Sequence, residues 1–407
     1  MCKRILSFSC LLLSACSPNK AVFLDYAASA QINEKALEKF NAVSLLDGNS
    51  SGFNYHAKIL SAIEKESADT VARKINADSG DQIVFVGNAS MANNIAILGV
   101  AGNHKKCHFI SYKMEHKSVL NVFKYLENIG HDVTYLDVDR YGYINPDQLE
   151  KSIRKDTKLI SIQMFNSEIG TIQNVEAIGK IARRHGVLFH SDASQSFCKY
   201  DIDVKKMNID LLTISGYKIG SPAGIAVLYV KDRGKLKPIL FGSGDKLSPG
   251  TKPTALIASF ASAIENFQFD KVAVAENFRI LVDELLKIGD VYVNSKTPSH
   301  VVSVSIDGVL LKDILERIKN YSFSAGCSCL GQERSNVMSA IDPDGKLPAC
   351  TLRISFSDRV KPKELVEFAR VLKKEVLQLR GEKKIGNGCT SENSKKLEEL
   401  NDILKKL

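Results

Sequence analysis

Residues 187–230, VLFHSDASQSFCKYDIDVKKMNIDLLTISGYKIGSPAGIAVLYV, decide the fold class of this chain. The stretch contains three short β-branched runs, at 187–192, 211–215 and 225–230, each with the length and composition of a buried strand. Asp192 ends the first run, and Lys218 follows closely after the second. Because the carboxyl ends of parallel strands meet at one edge of a sheet, where ligands bind, we expect both side chains at that edge.

The alternation of strands and helices extends over residues 80–230. Further β-branched runs lie at 83–87, 107–112, 132–137 and 158–165, and apolar residues recur at helical intervals over 117–128, 145–155 and 175–185. This pattern is typical of a mainly parallel sheet covered by helices. We predict an α/β fold in which a seven-stranded, mainly parallel sheet forms a large domain over residues 21–260.

A smaller α+β domain is expected over residues 261–380. The preceding segment, 231–255, is predicted to be a loop because glycine and proline are frequent in it. A helix is predicted over 256–287, then a strand over 301–306, a helix over 310–320 and a strand over 352–356. The polar tail, 381–407, ends in an amphipathic stripe that is more typical of a packed terminal helix than of a site.

Composition narrows the possible functions. The 407 residues carry a formal charge of +9 without an arginine-rich block, which does not favour direct nucleic-acid binding. The nine cysteines have irregular spacing in a long chain, so we interpret them as reduced thiols with one reactive member. No cysteine or histidine cluster has zinc-ligand spacing, and no metal site is predicted.

The first twenty residues have two interpretations. Lys3 and Arg4 precede an apolar run, and the sequence from Leu13 to Cys16 is similar to a bacterial lipobox, in which the cysteine carries lipid. The apolar run is too short to span a bilayer. Alternatively, residues 1–20 are an upstream extension, because the pattern of the large domain begins at Val22.

Asp192 and Lys218 favour one kind of chemistry when taken together. A lysine that bonds a carbonyl cofactor must lose its proton at least transiently, and an aspartate facing a pyridine nitrogen keeps that ring protonated and electron-withdrawing. Taken singly, Asp192 would be a helix cap and Lys218 a solvated cation. Their placement at one sheet edge predicts a shared cofactor.

Nine segments give a far more specific signal than either residue. They are LDYAASA (24–30), DGNSS (47–51), NASMANN (88–94), EHKSV (115–119), NSEIG (166–170), HSDASQS (190–196), SGYKIGSPAGIAVLYV (215–230), SAGCSC (324–329) and RISFS (353–357). In order and spacing they resemble the cysteine desulfurases of the class V aminotransferase family, over about residues 21–375. The resemblance implies the fold of a fold type I transferase dependent on pyridoxal 5'-phosphate.

The resemblance also implies roles for single residues. Lys218 would hold the cofactor, His116 would stack on its ring and move protons, and Cys329 would be the nucleophile that takes up sulfur. Arg353 would bind the substrate α-carboxylate, for which a bidentate guanidinium is suited. Read alone, Cys329 would be a structural cysteine and His116 a surface or capping histidine. The other implied cofactor contacts are Asp192 at the pyridine nitrogen, Gln195 at the phenolic oxygen, and Ala89, Ser90, Ser167, Ser215, Tyr217 and Thr251, the last toward the phosphate of a second subunit.

The chain departs from the family pattern at several positions. The family has Glu at the position of Met91, Asn at Ser167, His at Tyr217 and Arg at Ser248, and segment 244–251 is shortened. Polar residues replace polar residues at positions 167 and 217, so we expect weaker contacts there rather than none. Cys327 does not match the family position and is interpreted as a spectator or a resolving thiol.

The implied activity is the conversion of L-cysteine to L-alanine with a persulfide left on Cys329. A homodimer would pass this sulfur to an acceptor protein in iron–sulfur cluster assembly or tRNA thiolation. The alternatives are a selenocysteine lyase, an aminotransferase, or a cofactor-binding protein without turnover. Because the chemistry needs reduced thiols, we expect a cytoplasmic protein, with a membrane-anchored lipoprotein attached through Cys16 as the alternative.

Overall fold

The computed structural model describes residues 21–325 and 335–383. Its strands, in chain order, are β1 (Val22–Phe23), β2 (Ile83–Val86), β3 (His108–Tyr112), β4 (Asp132–Leu136), β5 (Thr157–Ser161), β6 (Leu188–Asp192), β7 (Leu211–Ser215), β8 (Ala226–Val230), β9 (Val291–Val293), β10 (Val301–Ile306), β11 (Tyr321–Ser322), β12 (Ser324–Ala325) and β13 (Cys350–Ser355). Its α-helices are α1 (Glu34–Ser44), α2 (Tyr55–Lys74), α3 (Ala89–Ala101), α4 (Lys117–Asn128), α5 (Pro146–Ser152), α6 (Val175–Arg184), α7 (Thr254–Glu265), α8 (Lys271–Leu286), α9 (Leu311–Arg317), α10 (Asn336–Ile341) and α11 (Pro362–Lys383).

The large sheet has seven strands in the order β2-β8-β7-β6-β5-β3-β4. Strands β7, β6, β5, β3 and β4 run parallel to one another, and β8 is antiparallel to both β7 and β2. The predicted α/β class and the mainly parallel seven-stranded sheet are therefore confirmed. Each predicted strand of this sheet overlaps an observed one, although the predicted strand 158–165 extends beyond the end of β5 at Ser161, and α4 has the predicted bounds.

Helices cover both faces of the large sheet, because its central strands are apolar on both sides. Neighbouring residues of β2 belong to apolar clusters on different faces of the sheet. Val84 lies in a cluster with residues of α3 and α4, whereas Ile83 lies in a cluster with residues of α2 and α6. Buried residues of α6 recur at three- and four-residue spacing, as a helix with one covered face requires. The two layers hold the carboxyl ends of the parallel strands at one open edge.

A second, antiparallel sheet has the order β12-β13-β10-β9. It packs with α8 and α11 around its own apolar cluster, to which Leu24 also belongs. The N-terminal strand β1 pairs with β11, and Asp25 forms a bridge with Ser355 at the end of β13. The N-terminal segment and β13, which carries Arg353, thus lie side by side.

The predicted single helix over 256–287 is wrong. Two helices, α7 and α8, occupy this region, and Asn266 to Asp270 separate them. Asp270 caps α8 by accepting hydrogen bonds from the N–H groups of Val272 and Ala273, at 2.9 and 3.0 Å. The break was missed because it contains neither glycine nor proline, and its signal is the capping aspartate alone.

Several predictions fall outside the described ranges, namely those for residues 1–20, Cys16, Cys327, Cys329 and the tail beyond residue 383. The domain boundaries at 260 and 380 stay predictions. Within the described parts of the chain, no helix is both long enough and apolar enough to cross a membrane.

Candidate active site

A cavity of about 540 Å³ lies at the carboxyl edge of the large sheet, where the N-terminal segment and β13 approach it. Asp192 at the end of β6 and Lys218, just beyond β7, both line it, as the sequence predicted. The structure brings ten predicted residues to this one cavity, namely Ala89, Ser90, His116, Ser167, Asp192, Gln195, Ser215, Tyr217, Lys218 and Arg353.

Lys218 sits in a short 3₁₀ turn, Gly216–Ile219, that follows β7. Its Nζ donates to the carbonyls of Ala27 and Ala28, at 2.5 and 2.8 Å. Gly220 closes the turn with φ of +84°, and a Cβ there would lie 2.7 Å from the Gln31 carbonyl oxygen. The turn thus fixes the lysine backbone closely against the N-terminal segment.

The environment of Lys218 favours a neutral amine. Burial, and then the positive charge of Arg353, lower the pKa of Lys218 to about 8, although Asp25 and Asp192 act in the opposite direction. An amine with this pKa is partly unprotonated near neutral pH. Lys218 can therefore act as a nucleophile toward a carbonyl and as a base.

Asp192 is held in one orientation at the end of β6. Its side chain is buried, with Oδ1 accepting from the Ser194 N–H at 2.9 Å and Oδ2 accepting from Asn93 Nδ2 at 2.8 Å. Hydrogen bonds to both oxygens leave little rotational freedom. A carboxylate fixed in this way can hold a protonated ring nitrogen at the base of the cavity.

His116 both caps a helix and lines the cavity. Its Nδ1 accepts from the Ser118 N–H at 3.1 Å, which satisfies an N–H of the first turn of α4. The capping role that the residue type alone suggested is therefore present. The same residue also lines the cavity that Asp192 and Lys218 line.

Helix α3 begins at the cavity. Asn88 caps it by accepting from the Met91 N–H at 2.9 Å, and Ala89 and Ser90 form its first turn. The free N–H groups and the dipole of a helix N-terminus favour an anion such as a phosphate. Ser215 and Tyr217 line the same cavity and add hydroxyl groups.

Arg353 reaches the cavity from β13. Its Nη2 donates to Asp25 Oδ1 at 2.8 Å and its Nη1 donates to the Ser167 carbonyl at 3.2 Å. The buried Nε has no hydrogen-bond partner within the described ranges. A guanidinium placed here can bind a carboxylate that enters beside Lys218.

Two acidic residues of the cavity were missed from the sequence. Asp25 pairs with Arg353 and accepts from Ser324 Oγ at 3.0 Å. Glu168 lines the cavity, and burial raises its pKa to about 7. Both lie within quoted segments, LDYAASA and NSEIG, but no local pattern distinguishes them from acidic residues elsewhere.

Two predicted residues are not brought to the cavity by the described structure. Thr251 is exposed on the loop before α7 and does not line the cavity, so its predicted contact with a second subunit stays a prediction. Cys329 lies outside the described residues. Ser324, five residues before it, lines the cavity.

The residues present fit pyridoxal 5'-phosphate. Ser194 Oγ and Gln195 Oε1 are buried without a partner in the described part of the chain, and both residues line the cavity. Gln195 is oriented by donating from Nε2 to the Ala27 carbonyl at 2.7 Å. The aldehyde of that cofactor is matched by an amine with a lowered pKa, and its ring nitrogen by a fixed carboxylate. Its phenolic oxygen and phosphate are matched by buried polar groups without partners among the described residues and by a helix N-terminus.

The chain is similar to known proteins over most of its length. The family model described as aminotransferase class-V matches residues 22–368. The cysteine desulfurase IscS of Ehrlichia chaffeensis is 35% identical over 383 residues, covering 89% of this chain and 92% of that protein. The cysteine desulfurase IscS of Neisseria meningitidis serogroup C is 35% identical over 381 residues, covering 88% and 93%.

Solved structures show the same likeness. A structure titled SspA in complex with cysteine has 34% identity and a TM-score of 0.74, covering 82% of this chain and 98% of that one. A NifS-like protein has 25% identity and a TM-score of 0.79, covering 88% and 99%. The chain therefore belongs to the class V aminotransferase family, in the group formed by the cysteine desulfurases.

Proposed function

We propose that this protein is a pyridoxal-phosphate-dependent cysteine desulfurase that moves sulfur from L-cysteine to Cys329 and releases L-alanine. The observation that carries the proposal is the convergence of Lys218, Asp192 and Arg353 on one cavity beside the start of α3. The names of the relatives support cysteine as the substrate.

Three different kinds of protein group would hold three parts of the cofactor. Lys218 would bond its aldehyde, Asp192 would face its ring nitrogen, and the first turn of α3 would bind its phosphate together with Ser215 and Tyr217. When bound, pyridoxal phosphate supplies an electron sink that acidifies the α-proton of an amino acid and weakens the bond from its β-carbon to sulfur.

Arg353 and Lys218 would orient and activate the substrate. The guanidinium would bind the α-carboxylate of L-cysteine, exchanging part of its contact with Asp25 for the new anion. Lys218, whose pKa is lowered, would offer the lone pair of Nζ to the α-proton of the bound amino acid. The cavity walls keep both groups partly shielded from water.

Cys329 would receive the sulfur as a thiolate. Cys329 is five positions after Ser324, which lines the cavity, and that length of chain can span at most about 17 Å. In the transfer, the cysteine β-carbon–sulfur bond breaks and a sulfur–sulfur bond forms at Cys329. The β-carbon gains a proton, so one L-cysteine and one thiol give one L-alanine and one persulfide without an external oxidant.

Further parts of the proposal concern partners. We infer a homodimer in which Thr251 contacts the phosphate bound to the other subunit, and an acceptor protein for iron–sulfur cluster assembly or tRNA thiolation. A cytoplasmic location is inferred from the need for reduced thiols, and attachment through Cys16 is the alternative.

The proposal is tested by mixing the purified protein with pyridoxal phosphate and then L-cysteine plus a thiol reductant. We expect a visible absorbance band from lysine-bound cofactor, followed by equal amounts of L-alanine and sulfide. Lys218→Ala should lose both, whereas the exposed Lys235→Ala should keep both. Formation of 3-mercaptopyruvate in place of L-alanine and sulfide would indicate an aminotransferase, and a wild-type protein that stays colourless would contradict the proposal.

A further inference from the structure

A chain of hydrogen bonds joins Asp192 to His116 through two side chains that have no part in the function proposed above. Asn93 donates from Nδ2 to Asp192 Oδ2 at 2.8 Å and to Ser118 Oγ at 2.9 Å. Ser118 Oγ lies 2.8 Å from His116 Nδ1. The chain therefore connects the end of β6, the middle of α3 and the start of α4 beneath the cavity.

Asn93 is an unusual residue for its position in α3. It is fully buried, and its helix neighbours Ala92, Ile95 and Ala96 are buried apolar residues. A buried amide is costly unless it is hydrogen-bonded. Asn93 Nδ2 donates both of its hydrogen bonds to Asp192 and Ser118, and Oδ1 has no partner in the described part of the chain, which indicates that the amide serves the site rather than the packing of the helix.

The direction of the hydrogen bonds follows from the fixed donors and acceptors. The Asp192 carboxylate only accepts, so Asn93 must present its nitrogen, since the reverse orientation would place Oδ1 against the carboxylate. Ser118 Oγ accepts from Asn93, which leaves the hydroxyl proton available for donation to His116 Nδ1. The backbone N–H of Ser118 donates to the same Nδ1 at 3.1 Å.

These contacts determine where the His116 ring carries its proton. The backbone N–H of Ser118 can only donate, so Nδ1 must present its lone pair to it and cannot hold a proton, and the Ser118 hydroxyl then donates to the same nitrogen. The neutral ring must then be protonated at Nε2. An Nε2–H group can donate a hydrogen bond, but it has no lone pair with which to accept a proton.

We propose that Asn93 and Ser118 are positioning residues that hold His116 in the Nε2–H tautomer, so that His116 acts as a donor and Lys218 alone accepts the α-proton. The tautomer follows from the protein contacts by themselves. The assignment of the α-proton to Lys218 rests on the proposed function.

The test is nitrogen NMR of the full-length protein labelled with ¹⁵N-histidine. Spectra are recorded at a pH where the ring is neutral, before and after addition of pyridoxal phosphate, and His116→Gln identifies the His116 signals by their loss. We expect an unprotonated nitrogen at Nδ1 and a protonated one at Nε2, in both spectra.

Variants test the series of hydrogen bonds from Asp192 to His116. Asn93→Ala should shift the Nδ1 and Nε2 signals toward each other, as for a mixture of tautomers, because the Ser118 hydroxyl loses its fixed orientation. Ser118→Ala breaks the same chain at a half-buried position and should also shift them, which covers the case in which Asn93→Ala does not fold. Asn94→Ala is the matched control, since Asn94 donates to the Ser90 carbonyl of its own helix at 2.8 Å, and it should leave both signals unchanged.

Two results would overturn the inference: a protonated Nδ1 in the wild-type protein, or wild-type signals in both Asn93→Ala and Ser118→Ala. Neither depends on turnover. Failure of the proposed function would instead appear as a missing absorbance band and no L-alanine, so the two failures are distinguishable.

Discussion

Arg353 Nη2 donates to Asp25 Oδ1 at 2.8 Å, and this ion pair joins the small sheet to the N-terminal segment at the rim of the cavity. The two side chains are only 12% and 20% exposed, so solvent screens the pair incompletely. Asp25 holds the guanidinium in place and also occupies part of its binding capacity. A substrate carboxylate must therefore compete with Asp25 for Arg353.

The geometry of Arg353 predicts a selective loss of substrate binding. In Arg353→Lys the charge is kept but the bidentate fork is lost, and we expect KM for L-cysteine to rise roughly tenfold to a hundredfold with a smaller change in kcat. Steady-state kinetics measure both values. The exposed Arg370→Lys is the control, and an unchanged KM in Arg353→Lys would place the substrate carboxylate elsewhere.

The lowered pKa of Lys218 predicts how fast the cofactor attaches. Only the neutral amine attacks an aldehyde, so the rate of attachment should rise with pH and level off above the pKa of about 8. The rate is measured from growth of the visible band after cofactor-free protein is mixed with pyridoxal phosphate. A midpoint near 10.5, the ordinary value for lysine, would show that the site does not perturb this amine.

Asp25 should modulate that midpoint. Its negative charge favours protonated Lys218, so Asp25→Asn, which keeps the size of the side chain, should move the midpoint below its wild-type position. The same mixing experiment gives the value. Asp307→Asn, at an exposed position of the small domain, should leave it in place, and an upward shift in Asp25→Asn would contradict this account of the charges.

A second buried lysine, Lys199, is expected to lower the stability of the folded protein at low pH. Lys199 is fully buried, its Nζ contacts the Gln195 carbonyl at 3.4 Å and the Tyr26 ring at 5.0 Å, and burial lowers its pKa from 10.5 to about 7. Below pH 7 both the folded and the unfolded protein carry this charge, and the folded protein bears the desolvation cost. Between about pH 7 and 10.5 this destabilisation decreases steadily as the pH rises. In that window the folded amine is neutral, and the proton that the unfolded amine still binds favours unfolding less and less.

Lys199→Met should therefore raise the free energy of unfolding of the cofactor-free protein by about 1–3 kcal/mol near pH 6. The gain should shrink as the pH rises through the same window. Denaturant titrations at several pH values measure it, with the exposed Lys235→Met as the comparison. A loss of stability at low pH would mean that the contacts of Lys199 outweigh its burial.

The sequence predicts the large sheet well because its signal is local. Strands such as 211–215 are short runs rich in apolar and β-branched residues, and α4 has apolar residues at helical spacing, so neither needs tertiary information. Lys218 and Asp192 were placed together because parallel strands end at one edge. The break before Asp270 was missed because its only marker is one capping side chain.

The remaining parts of the site depend on contacts between distant residues. Asp25 and Arg353 are 328 positions apart, and Asn93 and Asp192 are 99 apart. Nothing in the sequence around Asn93 distinguishes it from Asn94, although only the first contacts the site residue Asp192. Such pairings become visible only once the elements are packed.

The most direct test of the central claim is to locate the transferred sulfur. The protein with bound pyridoxal phosphate is treated with L-cysteine without reductant, alkylated, digested and examined by mass spectrometry. We expect one additional sulfur atom on the peptide containing Cys329, matched by one L-alanine released, with Cys327→Ala retaining both and Cys329→Ala losing both. Sulfur on a different cysteine, or undiminished L-alanine formation by Cys329→Ala, would contradict the account.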